Sequence, residues 1–474
     1  MKRFTIVLLA LIAALFSIIL YHETTRERDV VILSTNDMHA SLGNFARLAT
    51  AVEQCRDTVT TVLVDAGDRW TGNAYVDLAE GHLPIIELMN RLGYMAATLG
   101  NHEFDAGRKT LDGAIRHAAF PIICSNMESE SDELPTLPSH YKYRAENGIR
   151  IGFAGVVTNY DNGHPDGHHS IFEGLKFFDP MESATRALES LRWCNVKVLL
   201  SHMGDDKDME YASAGCGYDL LIGGHTHMVV DTTINNTVVG QTGRRLANVG
   251  TTRIHFEGRR ITHIEYENIP LSQYEPNVEF AEQIAEIERN PKLCEGIGTL
   301  KTPLDKVGLA NLETSLIAKA TDAEVAFYHY GGIRLDELAA GDVSLATLFN
   351  LEPFDSQLYT MQMSTAQLRK MVIAKYNDRL NAKESHRIDL FCSVPYDIIV
   401  GADGEAVDVK FPTLKEGRVY RVAMGDYIAK KYPGIEAENI TSVSLKLLNI
   451  LEEHFRTCSP VAASNAPKQR IVRR

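Results

Sequence analysis

Between residues 30 and 270, short β-branched apolar runs alternate with longer helix-like segments, the pattern of crossover connections in a layered α/β core. Val30 to Ser34, Thr58 to Val64, Ala96 to Leu99, Val196 to Leu200 and Leu220 to Ile222 are compact and apolar, as strands buried on both faces are. Thr237 to Val239 and Ile254 to Phe256 read as extensions of a second sheet. From Pro270 the pattern changes: Gln273, Glu275, Glu279, Glu282, Glu286 and Glu288 fall around a helical spacing that ends at Asn290 and Pro291, which predicts a linker helix within 273–300. A second, smaller α+β domain is expected over 301–459. Residues 460–474 are polar and basic without apolar periodicity, so a disordered tail is expected there.

A chain of 474 residues is long for one compact domain, and 45% hydrophobic with 23% charged residues is ordinary globular composition. The net charge of -14 repels phosphate backbones and argues against a nucleic-acid polymer as partner. A small anionic substrate therefore needs positive charge concentrated locally. Seven cysteines without a CxxC pair support neither a zinc ribbon nor a complete disulfide framework. At the N-terminus, Lys2 and Arg3 precede an uncharged apolar run from Phe4 to Tyr21, then the polar stretch His22 to Asp29, in the order of a secretory signal. As a helix the run would span about 27 Å, near a bilayer core, and no small-residue cleavage triplet ends it. Residues 1–29 are thus read as a signal peptide or an uncleaved membrane anchor, with the rest exported to the periplasm or cell surface.

The chemistry sits just past the strands. Asn36, Asp37 and His39 follow the first; Asp65, Gly67 and Asp68 the second; Gly100, Asn101, His102, Glu103 and Asp105 the third. Ser201 and His202 close the fourth, and Gly223, Gly224, His225 and His227 follow the fifth. In α/β sheets the residues beyond the carboxyl ends of strands gather along one edge, where ligands bind. Each piece alone has a plain reading as a turn or a helix cap; together, Asp37, His39, Asp68, Asn101, His202, His225 and His227 point to a metal site. Seven donors exceed the four of a closed zinc site, so two ions are expected, bridged by one carboxylate, for which Asp68 is the candidate. Two divalent ions outweigh the charge of Asp37 and Asp68, so the centre can bind phosphate and acidify a shared water. The mixed oxygen and imidazole donors suit Mn, Fe, Co or Zn without choosing among them.

In order and spacing, Asn36-Asp37-Met-His39, Asp65-Ala-Gly-Asp68, Gly100-Asn-His-Glu-Phe-Asp105, Ser201-His202-Met-Gly and Gly223-Gly-His-Thr-His227 resemble the calcineurin-like metallophosphoesterases. More narrowly they resemble the exported 5′-nucleotidase and UDP-sugar hydrolase family. The resemblance implies a four-layer α/β metallophosphoesterase domain over 30–272. It also implies that Asp37, His39 and His227 hold one metal, Asn101, His202 and His225 the other, and Asp68 both. Many such nucleotidases carry an amide where His227 stands. By the same resemblance His102 and Asp105 form a catalytic pair, and the chemistry agrees: a histidine beside a metal-binding Asn can protonate a leaving oxygen if a carboxylate orients it.

The second domain resembles the family's C-terminal substrate-binding domain through Gly331-Gly-Ile-Arg334, Gly341-Asp-Val-Ser344 and Pro353-Phe354. The resemblance makes Arg334 a phosphate contact and Phe354 and Tyr427 base-stacking aromatics, although both rings also suit an ordinary core. His329 stands where the family has Asn, and Pro433 where an Asp contacts the nucleoside. The expected activity is hydrolysis of nucleoside 5′-monophosphates or related phosphate esters. The alternatives are a nucleotide-sugar diphosphate, a cyclic nucleotide or a sulfur ester on the same centre, and a metal-dependent binding protein without turnover.

Overall fold

The computed structural model describes residues 26–160, 163–167, 169–378 and 387–473. The signal or anchor expected over residues 4–21 lies outside them. Among the described residues no helix is long and apolar enough to cross a membrane. The chain divides into two compact units: one runs to Thr71 and resumes over Val76–Glu288, the other comprises Gly72–Tyr75 and Arg289–Arg474.

The first unit is built on two six-stranded sheets. One orders Arg260–Pro270, Asn248–Glu257, Glu27–Thr35, Thr60–Asp65, Ala96–Thr98 and Ile122–Ile123. The other orders Val229–Ile234, Thr237–Thr242, Leu220–Ile222, Val196–His202, Arg150–Val157 and His140–Arg144. Apolar side chains from both, among them Ile32, Val64, Phe153, Val198 and Ile222, share one buried cluster. The outer face of the second sheet is covered by Ala184 and Ala187 of helix Pro180–Ser190 and by Tyr211 and Ala212 of helix Asp205–Ser213. Helices Phe45–Arg56 and Leu83–Leu92 bury Leu48, Val52, Ile86 and Met89, completing four layers. Strands hidden between such layers have no solvent face, which is why they read as continuous apolar runs rather than alternating ones.

Four readings are corrected here. Ile254–Phe256 belongs to the first sheet, paired antiparallel with Glu27–Thr35, because strand neighbours are set by long-range pairing and not by sequence order. Residues 27–29, read as the end of the leader, open the first strand. The expected linker helix is only Val278–Ile287; it packs on the first unit through Phe280, whose ring lies 6.1 Å from that of Phe45, and a strand begins at Gly296. Residues 460–473 are not a disordered tail: Val461 is 1% exposed, and Gln469–Arg473 pairs parallel with Tyr396–Val400. Backbone pairing to an existing strand orders a segment whose side chains show no apolar pattern.

The second unit holds a five-stranded sheet ordered Leu390–Cys392, Val325–His329, Val419–Gly425, Gln357–Ser364 and Glu438–Lys446. Helices Lys306–Ala320 and Leu447–Cys458 pack on one core cluster with Tyr328, Leu358 and Ala423, and Thr365–Tyr376 on another with Phe327, Met361 and Met424. Ser364 and Gln367 form a reciprocal capping box at the start of the last of these helices. Among the described residues no cysteine forms a disulfide.

Candidate functional site

The loops that follow Glu27–Thr35, Thr60–Asp65 and Ala96–Thr98 are tied to one another before any side chain is considered. Asp37 N–H donates to Gly67 O at 2.9 Å, and His39 N–H to Asp68 O at 3.0 Å. Gly100 approaches so closely that a Cβ there would lie 2.1 Å from Asp68 Oδ1. Only a residue without a side chain allows the two loops to meet. Asp37, His39, Asp68, His225 and His227 all hold positive φ, between 45° and 84°. Non-glycine residues in this region are uncommon, and such strain gathers where surrounding structure imposes it for function.

The seven expected donors come together, and they come from both sheets. Asp68 Oδ2 lies 3.2 Å from His202 Nε2 and 4.0 Å from His39 Nε2, so a single carboxylate oxygen faces a histidine on either side. His39 Nε2 is 2.9 Å from His227 Nε2, and Asp37 Oδ1 is 3.6 Å from the latter. His225 Nδ1 is 3.0 Å from Asn101 Oδ1. Asp37, His39 and His227 could hold one ion, and Asp37, Asp68 and His202 place ligand atoms within 4.8 Å of one another as well. The donors fit metal ligation on their own geometry. His202 Nδ1 faces Ala66 O at 2.7 Å, which assigns the proton to Nδ1, while the buried Nε2 has no hydrogen-bond partner among the described residues. An imidazole whose Nδ1–H is held by a backbone carbonyl keeps its Nε2 for ligation, the usual form of a metal-bound histidine.

The electrostatics match a site built to hold cations. Burial pushes Asp37 up to about 7, against the pull of His202, and Asp68 adds to the rise. Burial acts on Asp68 too, yet His202, His102 and His39 hold its carboxylate well below the usual range. His202 is lowered by burial but carried to about 10 by Asp68 and Asp37. His225 goes the other way, pushed down chiefly by burial. Protons on these groups compete with metal, so affinity rises with pH.

His102 Nδ1 lies 2.7 Å from Asp105 Oδ2, the expected pairing. The His102 ring is also 5.2 Å from that of His39, edge to face, and a His102 nitrogen lies within 4.8 Å of ligand atoms of His39 and Asp68. Several residues support the ligand loops, and Arg69 and Asp166 among them escaped the sequence reading. Glu103 is fully buried and accepts backbone N–H groups from Asp68 at 2.9 Å, Arg69 at 2.7 Å and Gly100 at 2.5 Å, a structural role that holds two ligand loops with one side chain. Arg69, also fully buried, donates to Asp65 Oδ1 at 2.9 Å and Thr98 O at 2.7 Å. Asp166 Oδ2 lies 3.4 Å from His225 Nε2. The only sequence signal for the first two is that they stand inside or beside a ligand motif; Asp166 has none.

In the second unit Arg334 lies with its guanidinium 5.6 Å from the ring centre of Phe354. Tyr427 is stacked on His329, with ring centres 5.0 Å apart and planes 22° apart, and Tyr432 meets both rings edge-on. Tyr432 donates to Asp389 Oδ2, and Lys375 lies 4.5 Å from the centre of its ring. Burial lowers His329 to about 3, with Lys375, Arg334 and Lys306 adding to the effect, so its ring is neutral. One face of Tyr427 is therefore occupied by an uncharged imidazole.

The calcineurin-like phosphoesterase family matches residues 30–229, and the 5′-nucleotidase C-terminal domain matches residues 289–439. The trifunctional nucleotide phosphoesterase protein YfkN of Bacillus subtilis is 27% identical over 72% of this chain and 27% of its own length. Protein UshA of Yersinia enterocolitica is 25% identical over 95% of each chain. A crystal structure of a 5′-nucleotidase precursor from Thermus thermophilus superimposes with a TM-score of 0.80 over 94% of this chain and 99% of that one, at 19% identity. The chain spans between 27% and 41% of the length of several curated relatives it matches, YfkN among them. Matched along both segments in order, and alike in fold over nearly its whole length, the chain carries a calcineurin-like phosphoesterase domain followed by a 5′-nucleotidase C-terminal domain.

Proposed function

We propose that the protein is a dinuclear-metal phosphoesterase that hydrolyses nucleoside 5′-monophosphates or related phosphate esters to nucleoside and phosphate outside the cytoplasm. The observation that carries this reading is the placement of Asp68 Oδ2 between His202 Nε2 and His39 Nε2, at 3.2 and 4.0 Å. In this reading Asp37, His39 and His227 hold one ion, Asn101, His202 and His225 the other, and Asp68 both, the ions being Mn, Zn, Co or Fe. When bound, two such ions supply positive charge for a phosphoryl group and acidify a shared water. His102 gives a proton to the leaving oxygen from Nε2 while Asp105 holds its Nδ1–H. Arg334 contacts phosphate, and Tyr427 and Phe354 receive a base. Relatives named for nucleotide phosphoesterase and 5′-nucleotidase activity support the substrate class. The order of Lys2, Arg3 and the apolar run 4–21 supports export, either with cleavage or with retention as an anchor.

The stacking of His329 on Tyr427, with Pro433 in place of a nucleoside-contacting Asp, favours a second reading: the same centre acting on a nucleotide-sugar diphosphate, a cyclic nucleotide or a sulfur ester. A screen of purified protein with added Mn²⁺ against these esters, nucleotides and p-nitrophenyl phosphate separates the readings. Nucleotides turned over fastest support the first. Turnover of another ester without any nucleotide supports the second, and a binding protein releases nothing from any of them. Asp68→Ala is the control, expected to lose turnover along with at least one metal equivalent.

A further inference from the structure

Thr71 lies three residues beyond Asp68, outside every motif the sequence singled out. It is 7% exposed and holds φ at 68°, in the left-handed region where a β-branched residue is an outlier. Two hydrogen bonds help to keep it there. Its N–H donates to Asp77 Oδ1 at 3.0 Å, and its hydroxyl donates to Asp105 Oδ2 at 2.7 Å. That oxygen is the same one that receives His102 Nδ1 at 2.7 Å. Asp105 itself sits just past the single turn His102–Phe104, its side chain 29% exposed. A carboxylate so placed can turn about its own side-chain bonds, and one bond to an imidazole leaves its plane free. A second donor to the same oxygen restrains the carboxylate, and with it the tautomer and direction of the ring. Glycine would take this backbone without strain, so a hydroxyl-bearing residue held here against its conformational preference signals use of the hydroxyl.

We infer that Thr71 is a positioning residue for the His102–Asp105 pair, the far end of a chain Thr71–Asp105–His102 that aims the imidazole. The inference rests on the catalytic reading of that pair given above.

Thr71→Val keeps the branching and the strain but removes the hydroxyl. With adenosine 5′-monophosphate and p-nitrophenyl phosphate as probes, kcat is expected to fall roughly 5- to 20-fold, with KM, metal content and melting temperature unchanged. Thr71→Ser, which restores the hydroxyl, should recover most of the loss. Thr71→Gly, which relieves the backbone but lacks the hydroxyl, should resemble Thr71→Val and folds even where valine does not. In a His102→Asn background, Thr71→Val should add nothing, because the residue acts through the ring already removed. Independently of any ester, the Nδ1–H tautomer of His102, read by ¹⁵N imidazole NMR, should lose population in Thr71→Val. Losses that multiply in the double variant, a serine variant no better than valine, or unchanged kcat and tautomer in Thr71→Val would overturn the inference. Full activity in His102→Asn alone would instead sink the reading of the pair.

Discussion

Asp105 Oδ2 receives His102 Nδ1 at 2.7 Å, yet the same imidazole lies near ligand atoms of His39 and Asp68, so the residue stands between two possible roles. His102→Asn is expected to retain its metals while kcat drops by about 10² to 10⁴, the usual range for a positioned acid or base. Asp105→Asn should act in the same direction and less strongly. Kinetics paired with metal analysis checks both, since metal loss from His102→Asn would move this ring among the ligands. Glu352, in the core of the second unit, makes a pH prediction. It accepts hydrogen bonds from Tyr328 at 3.0 Å and Ser356 at 2.6 Å, but burial outweighs both and lifts it from 4.5 to about 6. A carboxyl whose pKa is raised in the fold contributes stability below its unfolded value and loses it as pH rises through the folded one. The window is therefore about 4.5 to 6, worth roughly 2 kcal/mol. Glu352→Gln should match the wild type in urea denaturation at pH 4 and exceed it by up to about that amount at pH 8.

At the scale of elements, each ligand loop begins where a buried strand ends, and pairing between strands decides which loops meet. Glu27–Thr35 pairs parallel with Thr60–Asp65, and that with Ala96–Thr98, so their carboxyl ends point the same way. Val196–His202 and Leu220–Ile222 are likewise parallel in the other sheet. The C-terminal segment is an element of a different kind. Asn311 Nδ2 donates to Ser464 O at 2.7 Å and Ala466 O at 3.0 Å, and Gln469 Nε2 to Cys392 O at 3.1 Å, so polar side chains and backbone hold it. Ending the chain at Ser459 should destabilise the second unit by at least ~2 kcal/mol, the scale of burying Val461 alone. Thermal melting of the truncated and full chains measures this, and equal melting would mean the segment adds no stability.

For the molecule as a whole, the prediction concerns how the two units divide the work. If the second unit grips a base through Tyr427 while the first cleaves phosphate, Tyr427→Ala removes binding energy remote from the reacting atoms. Stacking worth about 1 to 3 kcal/mol translates into a roughly 5- to 150-fold fall in kcat/KM for a nucleotide, with p-nitrophenyl phosphate nearly unaffected. Equal losses on both substrates would mark Tyr427 as a packing residue, the role its contact with His329 also allows. Discrimination among nucleosides should be weak, because Pro433 offers no polar side chain to a base and it is an unpaired buried polar group that rejects a wrong ligand strongly.

The candidate metal donors were legible in sequence alone, since Asp37, His39, Asp68, Asn101, His202, His225 and His227 each stand in a short motif directly after an apolar run. Such signals are local: a strand, a sharp turn and a polar residue occupy a few consecutive positions. Tertiary structure alone decided that these loops come from two sheets, and that Asp68 Oδ2 faces His39 and His202 together. It also decided the contacts of Glu103 with Asp68 and of Thr71 with Asp105, whose partners lie 35 and 34 positions apart in sequence. The order of residues 460–473 escaped the reading for the same reason, because Gln469–Arg473 is held by a strand more than 70 residues earlier. Hydrogen bonds between distant backbone segments leave no periodicity in the segment they order, whereas burial of a strand between layers writes itself into every residue of that strand.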